Sequence, residues 1–161
     1  MKDYKFGIQR NSMTNKANLS DLSVKNLKNV KMGPEGGAFT ASLYEGSTRV
    51  AHVSYDGWGG CYRYEWTPKG KDREDPIHAA AKAKHGGCDP LDLAVSELVD
   101  DFETKKLCRK EVLFRLASMD YSEGEYTVYK GKYTPELAVR MRAHYEGKGD
   151  KVTMILNEQF A

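Results

Sequence analysis

The sequence predicts an α+β fold: an N-terminal antiparallel β-meander, central helices, and a C-terminal β-β-α-β segment. Three observations carry this. Apolar and polar residues alternate between glycine-bearing turns in the first half. Two stretches in the middle open on Asp-Pro and continue as helix formers. The last third returns to β-branched and aromatic runs around one further helix. At 161 residues the chain reads as one domain over 21–161. Residues 1–20, rich in Asn, Ser and Lys with little apolar periodicity, are expected as an N-terminal arm, part of it mobile.

The elements follow in order. Leu22–Met32 is strand-like with mixed alternation, and Gly33–Gly37 (GPEGG) is a turn or loop. AFTASLYEG alternates cleanly, with Phe39, Ala41 and Leu43 on one face and Thr40, Ser42 and Tyr44 on the other. Glu45–Thr48 makes a hairpin turn to RVAHVSY, and Asp56–Gly60 (DGWGG) turns the chain again into CYRYEW. A helix is expected from Asp75 as N-cap and Pro76 at N1 to a stop at Gly86. A second starts from Asp89 and Pro90, with Leu91, Val95, Leu98 and Phe102 as its apolar stripe. Its acidic beginning and basic end suit the helix macrodipole. Strands are expected over Glu111–Ser118 and Gly124–Gly131. The last helix is capped by Thr134, with Pro135 at N1 and Leu137, Met141 and Tyr145 inward, and ends before Gly147. Lys151–Asn157 closes as a strand or a short helical turn.

Composition narrows the function. A net charge of +2 is too small to argue for nucleic-acid binding by itself. Three cysteines, at 61, 88 and 108, cannot all pair within one chain and read as reduced thiols. The N-terminus has no apolar signal core and no run is long enough to span a membrane, so a cytoplasmic protein without membrane contact is expected.

The stretch SYDGWGGCYRYEW, Ser54 to Trp66, holds both tryptophans and is the best candidate site. Gly57, Gly59 and Gly60 can turn successive N–H groups to one side of the Asp56–Gly60 loop, forming an anion-binding concavity. Trp58 would supply a stacking face, Tyr62 a second ring, and Arg63 a bidentate cation. The same residue types make a protein hot spot. A bulged hairpin whose aromatics fill the core explains them equally well. Alternation divides the set: Tyr62, Tyr64 and Trp66 share a face and suit a core, whereas Trp58 stands alone at the turn.

Other constellations are weaker. His52, Ser54 and Asp56 share one strand face but lie about 6.5–7 Å apart, too far for a catalytic relay. A small enzyme acting on a nucleotide or nucleic acid, with His52 and Asp56 as acid and base, is the alternative to a binding protein. His85 and Cys88, with Cys61, His78 or Cys108, lack the Cys-x-x-Cys or His-x-x-x-His spacing of a zinc site, so neither metal nor cofactor is expected. The cluster Lys105, Lys106, Arg109 and Lys110 reads as a solvated helix end, or as a phosphate or nucleic-acid contact.

Three blocks in order resemble a family of small accessory proteins of bacteriophages and mobile elements: AFTASLYEGSTRVAHVSYDGWGGCYRY with its F-T-A-x-L-Y and D-G-x-G-G signature, KKLCRKEVLFRL, and GKYTPELAVRMRAHYEGK followed by ILNE. The resemblance spans about Leu22 to Glu158 and carries over no functional residue. It implies a non-enzymatic protein in a bacterial host that binds and neutralises a host factor, either a defence protein or a nucleotide signal. With the Asp56–Trp66 hairpin as the working surface, and His52 beside it, a homo-oligomer is the expected assembly.

Overall fold

The structure is a computed structural model that describes residues 16–30 and 37–161. Most of the expected N-terminal arm, and most of the GPEGG loop, lie outside the described residues. The chain forms two compact units, one ending at Leu98 and one starting at Val99. The class is α+β, as the alternation and the helix signals predict.

The first unit is built on an antiparallel meander of β1 (Leu22–Asn29), β2 (Phe39–Glu45), β3 (Thr48–Tyr55) and β4 (Arg63–Trp66), in that spatial order. Phe39, Ala41 and Leu43 are buried on one face of β2; Ser42, on the other, is buried too. Two bulges shape the sheet. In β1 the register slips between Lys25 and Lys28, where Asn26 takes a φ of 55°, a conformation Asn tolerates better than most residues. Between β2 and β3, Leu43 pairs with Ala51 and Tyr44 with Arg49, leaving Val50 as the extra residue. Val50 and Ala51 are consecutive, yet both are fully buried, because a bulge breaks the period of two.

Thr67 joins this bulge to the helix that follows. Its N–H and its hydroxyl both reach the Val50 carbonyl, and its own carbonyl accepts from Gly70 and Lys71. That turn starts α1 (Lys71–His85) well before Asp75 and Pro76, the cap and first position the sequence suggests; the N-cap is Gly70, and Pro76 lies inside the helix. A bidentate pair from Arg73 to Glu45, at 2.7 Å on each arm, anchors the additional turn to the end of β2. Only glycine fits at position 70, where a Cβ would lie 1.8 Å from the Val50 oxygen. Ile77 and Ala81, one turn apart, form the buried line of α1.

Helix α2 (Pro90–Cys108) follows. Asp89 ends the preceding loop with a φ of 51° and accepts the Asp92 and Leu93 N–H groups on its carbonyl. Leu91 and Val95 are buried, and Leu98 and Phe102 are half-buried.

The second unit is a three-stranded antiparallel sheet of order β6-β5-β7, from β5 (Glu111–Leu116), β6 (Thr127–Lys130) and β7 (Val152–Ile155), with α3 (Pro135–Glu146) on one face. Val112, Phe114 and Leu116 alternate onto Ala138 and Met141 of α3 in one cluster with Val152 and Ile155. Thr134 Oγ1 accepts from the Leu137 N–H at 3.1 Å and Gly147 closes the helix, as the sequence predicts. The closing segment is both things expected of it: strand β7, then a 3-10 turn over Leu156–Gln159. β6 is shorter than the expected Gly124–Gly131, because the Arg115 guanidinium bonds the Ser122 and Glu125 carbonyls and holds that stretch as a loop. Asn157 is buried and fully satisfied: its amide donates to the Cys108 and Glu111 carbonyls, and its oxygen accepts from Leu113 N–H. Among the described residues no helix is long and apolar enough to cross a membrane.

Candidate functional site: the Asp56–Trp66 hairpin

The hairpin is fixed from within. Asp56 Oδ1 accepts the Trp58 N–H at 3.1 Å, closing an Asx turn, and the Tyr55 hydroxyl accepts the Gly59 N–H at 3.1 Å. Gly57, Gly59 and Gly60 all have positive φ, from 77° to 107°, so the loop needs its glycines for backbone shape. Of the three glycine N–H groups read as an anion cradle, that of Gly59 therefore already has a partner, as does the Trp58 N–H between them. Trp58 projects at the tip and is 65% exposed. Arg63 is 80% exposed and lies 3.7 Å from Asp56, so tip and flank present an indole and a guanidinium together.

Beneath the tip the aromatics form a platform. Tyr62 packs against Phe39 and Tyr55, with centroids 5.1 and 5.2 Å away. Tyr64 stacks on Trp66 at 6.1 Å, and His78 of α1 meets Tyr64 edge-on and Trp66 at a tilt. Tyr62, Tyr64 and Trp66 are half-buried rather than in the core that alternation suggests, because they pack on other rings and His78 at the margin of the sheet. Asp92, in the first turn of α2, takes the Tyr62 N–H on Oδ2 and the Tyr64 hydroxyl on Oδ1, each at 2.7 Å. Burial, reinforced by this bond to a carboxylate, pushes the Tyr64 hydroxyl far above the usual phenol range. Asp92 is part of the site that sequence reading missed; the only signal was a carboxylate in the acidic opening of α2.

Cys61 is exposed beside the same acids. The nearby Asp89 carboxylate, as a hydrogen-bond acceptor and a negative charge, raises the Cys61 pKa, with a further push from Asp92, which makes it a poor nucleophile. Cys61 Sγ and one oxygen each of Asp89 and Asp92 lie within 4.8 Å of one another. Among the described residues this is the group that could hold a cation. Both oxygens of Asp92 are already engaged by the hairpin, one by the Tyr62 N–H and one by the Tyr64 hydroxyl. His85 lies 3.7 Å from Glu97, and His78 serves the aromatic platform, so neither joins Cys61.

His52 is half-buried on β3, paired across the sheet with Ser42 and Glu65. Among the described residues no hydrogen bond links it to Ser54 or Asp56, and Asp56 is committed to the loop and Arg63. A notch of about 140 Å³ runs beside the hairpin along Phe39, Ser54, Tyr55, Asp56 and Arg63. That is well below the roughly 300–1,000 Å³ of small-molecule sites.

The basic cluster divides. Lys105 lies over the Phe160 ring at 5.5 Å. With Arg109, Lys132, Tyr133 and Phe160 it lines a cleft of about 420 Å³ in the second unit, whose lining does not include Lys106 or Lys110. Lys132, Tyr133 and Phe160 lie too far along the chain for local spacing to connect them to the cluster. In comparisons with protein-family models, curated proteins and solved structures, nothing matches this chain.

Proposed function

We propose that the protein is a binding protein without catalytic function, whose working surface is the Asp56–Trp66 hairpin and whose occupant is another protein. The carrying observation is Trp58: a 65% exposed indole on a loop already locked by Asp56 and Tyr55. A preorganised Trp beside an exposed Arg is the composition of an interface hot spot, and rigidity lowers the entropy lost on docking. The committed N–H groups and the small notch favour a protein over a nucleotide at this surface. On the resemblance of its sequence blocks, we read the protein as a phage or mobile-element accessory protein that blunts a host factor in the bacterial cytoplasm, working as a homo-oligomer.

The test is co-purification from a bacterial lysate with wild type, Trp58→Ala and Arg63→Glu. A specific partner should be retained by wild type and lost from both variants, while the Trp58→Ala stability stays within about 0.5 kcal/mol of wild type. Equal recovery with all three proteins, or a Trp58→Ala loss of about 3–5 kcal/mol as for a buried aromatic, removes the reading.

A further inference from the structure

We propose that the cleft of the second unit is a separate binding site for a small phosphorylated ligand carrying an aromatic ring, of the size and chemistry of a mononucleotide. Its wall brings together cations from two places: Lys105 and Arg109 at the end of α2, and Lys132 from the loop ahead of α3. The macrodipole accounts for cations at the end of α2. It does not account for Lys132.

Among the described residues none of the three forms an ion pair, whereas Arg63, Arg73, Lys84 and Arg142 each find a carboxylate. Three cations around one cavity, none with a carboxylate partner among the described residues, raise the local potential for an anion, and the guanidinium can grip phosphate oxygens bidentately. The cavity also has flat apolar walls. The Tyr133 and Phe160 rings line it, and Phe160 is 41% exposed, with Lys105 on its face. A base stacked there, with its phosphates toward Arg109 and Lys132, would use both kinds of wall. Asn157, also in the wall, has its amide and its oxygen committed to backbone groups and serves as a fixed floor. A volume of about 420 Å³ falls within the usual range for small-ligand clefts.

The experiment is a calorimetric titration at low salt with ADP, and with pyrophosphate and adenosine as its two halves. ADP should saturate one site per chain and weaken as salt rises. Arg109→Ala and Lys132→Ala should each weaken ADP and pyrophosphate about tenfold. Phe160→Ala should weaken ADP and adenosine and leave pyrophosphate unchanged. Lys106→Ala, Lys110→Ala and Trp58→Ala should bind like wild type, the last of these separating this site from the hairpin. Arg109, Lys132 and Phe160 are exposed, and matching melting temperatures confirm intact folds. Absence of saturable ADP binding overturns the proposal. So does an equal loss on Lys106→Ala, which marks a diffuse charged face. So does tighter binding of a single-stranded oligonucleotide that depends on Lys106 and Lys110.

Discussion

Tyr64 and Asp92 stand 28 positions apart in the chain, yet the tyrosine hydroxyl donates to the aspartate at 2.7 Å, while the other oxygen of the same carboxylate holds the Tyr62 N–H. One side chain of α2 thus fixes both the backbone and a ring of the hairpin. Asp92→Ala should cost about 2–4 kcal/mol, since it strands two part-buried donors. Tyr64→Phe should cost only about 1 kcal/mol, because it removes one donor and leaves the carboxylate the Tyr62 N–H. Urea denaturation of both variants checks the order; equal costs would mean that the Tyr62 N–H bond contributes nothing.

Alkaline stability follows from the same pair. Tyr64 loses its proton less readily folded than unfolded, where the phenol titrates near its ordinary value of 10.0. The unfolded chain therefore deprotonates first. The contribution of this group is fully present below about pH 10 and falls as pH rises beyond it. Wild type should lose its stability advantage over Tyr64→Phe as pH climbs above 10, measured as the difference in urea midpoints. A constant difference across that range would contradict the linkage.

Gly70 offers a sharper steric test. Its φ is −84°, which any residue adopts, so Gly70→Ala meets no backbone strain of its own. The obstacle is the Val50 carbonyl, 1.8 Å from the new methyl. Backbone must move there, and a loss of about 3 kcal/mol or more is expected in thermal or urea melts. Gly46→Ala, at a turn with open space but a φ of 58°, should cost only about 1 kcal/mol.

What could be read from the residues was what depends on near neighbours. Thr134, Pro135 and Gly147 bound α3 because capping is decided within one turn of helix. The meander followed from alternation and turn glycines. The start of α1 did not, because it rests on Thr67 and Glu45 reaching across from elsewhere in the unit. The bulge at Val50 has no local signature, since an extra valine looks like any other strand residue. In the hairpin, Trp58 lies between two turn glycines, where a ring is hardest to bury, and it is exposed. Asp92 and Lys132 have no local signal, because only the fold brings them to their neighbours.

Asn157 ties the last described turn of the second unit back to its first strand. It meets the end of α2 and the start of β5 across 49 and 44 residues of intervening chain. Until that asparagine leaves the ribosome, the Cys108 and Glu111 carbonyls and the Leu113 N–H must be satisfied by water. Asn157 is therefore a clasp on the start of β5, and its three bonds are made only once the chain has passed β7.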